Sequence, residues 1–240
     1  MASHTGFLLF TSSGDDLGWS ENGPPIPGLS QEVDHLHNAI VCDLAERFVE
    51  YLPYNVRLLE TSDTHLEPVP PIPARVECRT QAPGLLSRRV QEAAKDALES
   101  GEVSSLVVFL GRNPLYPLQL LTRGIELLSQ EDDVIVLGEA MQERHHPSIM
   151  WLGLKTYHPE IFEQNERWWQ GGTPLLQAAV DANALVMSVR PVRDISSVGD
   201  LGFLFHEVER EVLLKQWYPV RTYEALWKMR RKHLISENPE

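Results

Sequence analysis

The strongest constraint on this chain is the stretch Ser105 to Leu121, SLVVFLGRNPLYPLQLL, where an apolar run stops at Gly-Arg-Asn-Pro and restarts at once as a helix. Leu106, Val107, Val108, Phe109 and Leu110 form a continuous β-branched and aromatic block without polar alternation, the pattern of a strand buried on both faces. Such a strand needs a layer above it and a layer below. Gly111 permits unusual backbone angles just after the block, and Pro114 and Pro117 prevent its continuation, so the chain turns at the strand's carboxyl end. In open α/β sheets ligands sit at that end. Gly111, Arg112 and Asn113 are therefore the first candidate site residues.

The flanking segments supply the layers. Val33, Leu36, Ala39, Ile40, Leu44, Phe48 and Val49 recur at helical spacing through Gln31 to Tyr51, with Ser30 as the N-cap. Ser87 to Ser100 carries Val90, Ala93, Ala94 and Ala97 on one face and leads into the central strand. Gly6 to Thr11 reads as the first strand, and Ser12 to Ser30, rich in Gly, Pro, Ser and Asp, as a long loop of the kind that often carries function. Strands follow at Asn55 to Glu60 and Arg75 to Arg79, separated by an extended connector at Pro68, Pro70, Pro71 and Pro73. Beyond the central strand come a helix over Pro117 to Ser129, a strand over Asp133 to Leu137 ending at Gly138, and a strand over Met150 to Leu154. A helix start near Pro159, a helix through Leu175, Leu176, Ala179 and Val180, and a last strand over Leu185 to Val189 complete the pattern. The alternation predicts an α/β fold, a three-layer α/β/α sandwich with a mostly parallel, mixed sheet, over residues 1–205.

From His206 the chain reads as helical, so residues 206–240 are expected to form a C-terminal helical appendage. Val208, Val212, Leu213 and Trp217 give one amphipathic stretch, and Tyr223, Leu226, Trp227 and Leu234 give another after Pro219. Trp217, Leu226 and Trp227 are expected to be covered by the domain or by a second copy, because large aromatic side chains are costly to leave in water. A homodimer follows from the second option. Arg230, Arg231 and Lys232 lie where positive charge complements a helix dipole.

Charge narrows the partners. With 34 acidic against 21 basic residues and a formal net charge of −13, the general field repels nucleic acid and anionic membranes. A phosphate must meet a local basic spot. Arg88 and Arg89, near a helix start after Gly84, offer one, against the plainer reading of a solvated helix face. No apolar run approaches the roughly 20 residues of a membrane span, and the opening residues lack a basic n-region. Cys42 and Cys78 make neither a metal spacing nor a disulfide framework, so a cytoplasmic location is the expectation. His145 and His146 are neighbours that do not converge on one ion. Trp168 and Trp169 beside Gly171 and Gly172 form either a sugar platform or a core or interface pair. There is no Ser-His-Asp order, P-loop, GxGxxG or Cys/His zinc pattern.

Several segments, in order along the chain, resemble the bacterial DUF2064 family, glycosyltransferase-like proteins similar to the GT-A, or nucleotide-diphospho-sugar transferase, fold. They are LHNAIVCDLAERF, Gln81 followed by LLSRRVQEAAKDAL, FLGRNPLYP, DDVIVLGEA, MWLGLKTYHPEIFE, Trp168 to Leu176, and DISSVGDL. The resemblance implies transfer of a glycosyl or nucleotidyl group from a nucleotide-activated donor, with a nucleotide-sugar or other phosphorylated small molecule as ligand. The departures fall on the chemistry. Where the family has a Lys-Thr-Arg-Leu segment after strand one, this chain has GPPIPGLSQEV, and no Lys or Arg precedes Arg47. Where the family's central turn reads Gly-x-Asp-x-Pro, Arg112 and Asn113 stand here. His146, Pro147 and Ser148 replace an Asp-Gly-Gly, and of an Asp-x-Asp-x-x-x-Asp-Leu ending only Asp194 and Asp200 remain, with Ser196 in the middle.

A divalent ion on a diphosphate needs hard oxygen ligands, usually carboxylates, so no metal cofactor is expected. Asp194 is either a single remaining ligand or a turn cap. Arg112 either grips a phosphate or carboxylate with its planar fork, or caps the strand edge and pairs with an acid. Two functions follow: a transferase with altered or metal-independent donor binding, or a non-catalytic descendant that acts as a binding or assembly protein.

Overall fold

The computed structural model describes residues 5–11, 29–60, 73–130, 133–141, 149–163, 173–195, 197, 199–214 and 217–235. Its elements are β1 (Thr5–Phe10), α1 (Leu29–Tyr51), β2 (Asn55–Glu60), β3 (Val76–Thr80), α2 (Leu86–Glu99), β4 (Ser105–Phe109) and α3 (Leu118–Gln130). They continue with β5 (Val134–Met141), β6 (Ile149–Leu154), α4 (Pro159–Glu163), α5 (Thr173–Asp181), β7 (Leu185–Arg193), α6 (Gly199–Leu213) and α7 (Val220–Arg231). The strands form one seven-stranded sheet in the order β3-β2-β1-β4-β6-β5-β7. The apolar block of the sequence is β4, at the centre of that order and buried throughout. Among these strands only β6 runs against its neighbours, β4 and β5; the remaining pairs are parallel.

Alternate strand residues point to opposite faces, and they divide the core accordingly. Phe7, Leu9, Val107 and Phe109 pack with α1, α3, α6 and α7, whereas Leu8, Phe10, Leu106 and Val108 pack with α2, α4 and α5. Each such side chain taken fully out of water contributes roughly 1.5–3 kcal/mol, which is why an unbroken apolar block settles at the sheet centre. The three-layer sandwich read from the sequence is the observed architecture.

Several boundaries differ, each for a physical reason. α1 begins at Leu29, so Ser30 lies inside the helix and exposed rather than capping it. β5 continues through Gly138 to Met141 with a register shift at Gly138/Glu139, so this glycine bends a strand without ending it. β7 runs past Val189 through Pro191 to Arg193, which is tolerated because β7 is an edge strand and needs no donor on its open side. α6 begins at Gly199, ahead of His206. Most of the first loop, the connector prolines 68, 70 and 71, His145, His146, Trp168, Trp169, Gly171, Gly172 and Ser196 lie outside the described residues.

The C-terminal helices belong to the main core through Leu204, Phe205, Val208, Leu226 and Met229. Asp43 of α1 fastens them. Its Oδ1 accepts the Arg221 backbone N–H at 3.3 Å and Nη1 at 2.9 Å, and its Oδ2 accepts the Thr222 N–H and hydroxyl, both at 2.8 Å. The first amides of a helix need acceptors, and Pro219 at the N-cap position supplies none from its side chain, so a carboxylate from another helix takes the role. Burial pushes the Asp43 carboxyl up, against the hydrogen bonds from Thr222 and Arg221 that hold it down. Glu46 also pairs with Arg221, and Lys232 at the far end of α7 pairs with Glu32. Leu226 is fully buried and Trp217 partly so, with the Arg47 guanidinium 4.7 Å from its ring centroid. Trp227 departs from expectation, being 38% exposed. Arg231 lies 4.5 Å over its ring and its indole N–H donates to the Tyr223 hydroxyl at 3.2 Å, so a cation and a polar contact stand where apolar cover was expected.

The β2–β3 edge carries a charge ladder with a testable pH dependence. Arg57 donates to Glu77 at 3.1 Å and to Glu102 at 2.8 Å, and Arg79 also pairs with Glu77. Burial nudges the Glu77 carboxyl up, but the hydrogen bonds from Arg79 and Arg57 prevail and hold it below its ordinary value, while the Arg57 hydrogen bond does the same for Glu102. A depressed folded pKa contributes stability that is present above the unfolded value of 4.5 and is lost as pH falls through the folded value. Exchange protection of the β3 amides should be flat above about pH 5 and decline below it, by a small amount because the pairs are solvated. The decline should shrink in Arg57→Met, which leaves Glu77 only Arg79, and vanish when Arg79→Met is added; a β3 edge indifferent to acid would refute the coupling.

Candidate functional site

β1 leads to β2 on one side of the sheet and β4 opens the other side, so the strand order reverses between β1 and β4. That reversal is where open α/β sheets leave a crevice at their carboxyl ends. Here the crevice is lined by Leu9, Phe10, His37, Val41, Leu44, Phe109, Leu110 and Gly111, and it is too tight for a water-sized sphere. Apart from His37 these side chains are apolar.

The turn after β4 forms one wall. Leu110 and Gly111 both donate their N–H to Met150 O, at 2.7 and 2.8 Å. A Cβ on Gly111 would stand 2.8 Å from Met150 Cε and 3.0 Å from Phe109 Cε1. Among the described glycines only Gly84 and Gly101 have positive φ, so Gly111 serves close approach and not the unusual backbone angle expected of it.

Arg112, next in the turn, meets Asp194 behind the crevice lining. Asp194 follows the last residue of β7, and its Oδ1 accepts the Arg112 N–H at 2.7 Å while its Oδ2 accepts Nη2 at 3.0 Å and Nε at 3.3 Å. Each residue is 7% exposed. Asn113 completes the link: its Nδ2 donates to Arg193 O at 2.8 Å, and its Oδ1 accepts the Leu115 N–H at 2.9 Å, a local Asx turn. Gly111, Arg112, Asn113 and Asp194 thus form one cluster at the carboxyl end of β4. Arg88 is elsewhere, exposed on α2 and paired with Glu92 at 3.1 Å. Its neighbour Arg89 is buried and donates to Gln81 Oε1 at 2.6 Å, while Gln81 Nε2 donates to Thr11 O at 2.6 Å and to Leu59 O. This second polar knot ties the ends of β1 and β2 to α2.

The turn is braced from two further sides. Arg47 of α1 donates Nη1 to Pro114 O at 2.9 Å and to Tyr116 O at 3.0 Å. Trp151 of β6 donates its indole N–H to the Tyr116 hydroxyl at 2.8 Å, and burial pushes that phenol up. The indole fits because β5 and α3 present glycine to it: a Cβ on Gly138 would lie 1.9 Å from Trp151 Nε1, and one on Gly124 would lie 2.2 Å from its Cη2. Asp200 caps the start of α6, accepting the Ser197 N–H at 3.0 Å and hydroxyl at 2.9 Å, and pairs with Arg193 at 3.0 Å. Among the described residues no three His, Cys, Asp or Glu side chains gather as a cation site, and no helix is long and apolar enough to cross a membrane.

No protein-family model and no curated protein matches the chain. Solved structures do. A candidate nucleotide-diphospho-sugar transferase from Desulfovibrio desulfuricans G20 superposes with a TM-score of 0.66 at 16% identity, over 98% of this chain and 100% of that one. The fold is nucleotide-diphospho-sugar transferase-like. The 4-diphosphocytidyl-2C-methyl-D-erythritol synthase of Anaerococcus prevotii follows with a TM-score of 0.52 at 9% identity, over 87% of this chain and 97% of that one. A cytidylyltransferase from Leptospira borgpetersenii gives 0.51 at 12% identity, over 99% and 98%. At these identities the likeness is one of fold.

Sequence reading reached most of this cluster but not its braces. Arg47 and Trp151 read as helix-face and strand residues, and only their contacts across the sheet give them a part in the turn. Gly124 and Gly138 carried a weak signal, since a glycine inside a helix or a strand often marks a close approach.

Proposed function

We propose that this chain is a ligand-binding descendant of the nucleotide-diphospho-sugar transferase fold, which holds a nucleotide or other phosphorylated small molecule outside the carboxyl ends of β1 and β4, above the closed crevice, without a divalent metal. The observation that carries this reading is the Arg112–Asp194 pair. The Asp194 carboxylate at this turn already accepts three hydrogen bonds from Arg112, so it is a poor ligand for an ion. A guanidinium so close opposes a cation: even two unit charges about 4 Å apart repel by roughly 4 kcal/mol at an effective dielectric near 20, and a divalent ion doubles that. Support for a nucleotide-type ligand comes from the fold of the neighbours and from the ordered resemblance to DUF2064. An active transferase with metal-independent donor binding is the second reading, favoured by the names of those neighbours; the sealed carboxylate favours the first.

A thermal-shift screen of nucleotides and nucleotide-sugars, with and without Mn²⁺ and with EDTA, tests the reading. A ligand bound only by the folded state stabilises it by about 2.7 kcal/mol at a hundredfold excess over Kd. The expected result is a nucleotide-dependent shift that EDTA leaves unchanged. A shift that needs Mn²⁺ would overturn the metal-free reading, turnover of a nucleotide-sugar would favour the transferase, and silence across the panel would remove the nucleotide.

A further inference from the structure

We propose that the hollow at the amino-terminal ends of β1, β2 and β3 is a second binding site, built for a small organic monocarboxylate with an apolar body. It lies at the opposite end of the sheet from the β1–β4 crevice and does not rest on the reading above. Its volume is about 300 Å³, the lower end of the range of ligand pockets. The strand register makes it. Gly6, Leu8, Asn55 and Arg57 share the sheet face that carries α2, and Glu77 stands beside Arg57 on that face. α2 covers the face over β4 and β1, and over β2 and β3 it opens into the hollow. Leu8, Leu106, Ala97 and Val103 give an apolar floor and near wall. Val103 seats on Gly6, where a Cβ would lie 2.7 Å from its Cγ1.

The charged lining is Arg57, Arg75 and Arg79 with Glu77 and Glu102, a net charge of +1 in a chain of −13. Their pairing leaves donors over. Glu77 spends one oxygen on Arg57 and the other on Arg79, and Glu102 takes Arg57 Nη2. Among the described residues no acceptor meets Arg57 Nη1, the terminal nitrogens of Arg79, or any nitrogen of Arg75. A ladder that only tied β2 to β3 would need neither Arg75, which joins no pair in it, nor a cavity with an apolar floor. A guanidinium fork matches the two oxygens of a carboxylate, a single negative charge balances the lining, and the floor takes a hydrocarbon body. Arg57 is already fixed by Glu77 at 3.1 Å and Glu102 at 2.8 Å, so little ordering is left for the ligand to impose.

Amide correlation spectra of the full chain, titrated with 3-phenylpropionate at pH 7 and matched ionic strength, test this beside 3-phenylpropionamide and acetate. At the ligand efficiency usual for small molecules, the Kd of the aromatic acid falls in about the low millimolar range. The expected result is a saturable shift of the Arg57, Glu77 and Val103 amides with 3-phenylpropionate, with at least about fivefold weaker binding of the neutral amide and of acetate. Arg75→Gln should weaken the acid about fivefold or more, and Arg75→Gln with Arg79→Gln should remove saturation. Both side chains are exposed, so the fold should stand, and the same spectra report whether it does; if the double variant is unfolded, the single one decides. No saturation by 3-phenylpropionate, equal binding of its amide, equal binding of acetate, or an affinity untouched by Arg75→Gln would overturn the proposal. The nucleotide screen above reads the other end of the sheet, so either site can fail without the other.

Discussion

Gly138→Ala is expected to abolish stable folding or to lower stability by about 3 kcal/mol or more, the upper end of what overpacking does in a close-packed core. The added methyl would lie 1.9 Å from Trp151 Nε1 and 2.3 Å from Cδ1 and Cε2, inside any possible contact distance. Nor is there room to retreat. The far edge of the same indole lies against Gly124, where a Cβ would stand 2.2 Å away, and Trp151 is fully buried. Moving the ring also breaks its hydrogen bond to Tyr116, which leaves a buried donor unsatisfied at about 1–3 kcal/mol. Urea unfolding with near-ultraviolet dichroism as the readout measures the loss. Trp151→Leu placed on the Gly138→Ala background should recover part of it, because the smaller side chain clears the added methyl. A Gly138→Ala protein within about 0.5 kcal/mol of the original would show that the slot is looser than its geometry.

The second large effect is expected at Asp43. Asp43→Ala removes four hydrogen bonds to the start of α7 and leaves Arg221, itself 6% exposed, facing a hole, with the half-exposed Glu46 as the acid beside it. Breaking a buried pair from one side typically costs about 3–5 kcal/mol. The failure should be local at first. α7 detaches from α1, Leu226 and Met229 lose their cover, and limited proteolysis cuts between α6 and α7 before the sheet unfolds. Asp43→Asn, which keeps the oxygen acceptor and the volume, should lose less. If both variants resist protease like the unaltered chain, the helix is held by its apolar face alone.

The sequence disclosed what depends on neighbours along the chain and hid what depends on distant ones. Leu106 to Leu110 announce a central strand because burial on both faces leaves no polar residue in a contiguous run, and the flanking helices announce themselves by periodicity. The antiparallel direction of β6 left no trace, since a fully buried strand has the same composition either way round. Arg112 could be placed at the carboxyl end of β4 from its position in the sequence, yet both of its readings stayed open because the acid it pairs with lies 82 residues on. Trp227 was read by size alone, and a cation one turn ahead on the same helix, Arg231, supplied a cover that hydrophobicity does not express. Gly111 was read for its backbone freedom when its lack of a side chain was what the packing against Met150 required.

The joint between α1 and α7 has a consequence for how the chain is made. Asp43 and the Arg221 guanidinium that pairs with it are 178 residues apart, and Glu32 and Lys232 are 200 apart. At about 5–20 residues per second, the first helix leaves the ribosome roughly 10–40 s before the helix that covers it. Throughout that interval α1 carries an uncovered face, and neither it nor β1 can settle fully, because non-local contacts reward the chain only after the whole intervening loop has closed. A premature stop after α6 would therefore injure the opposite end of the protein, sending the first helix to chaperones or proteases although every residue of it had been translated correctly.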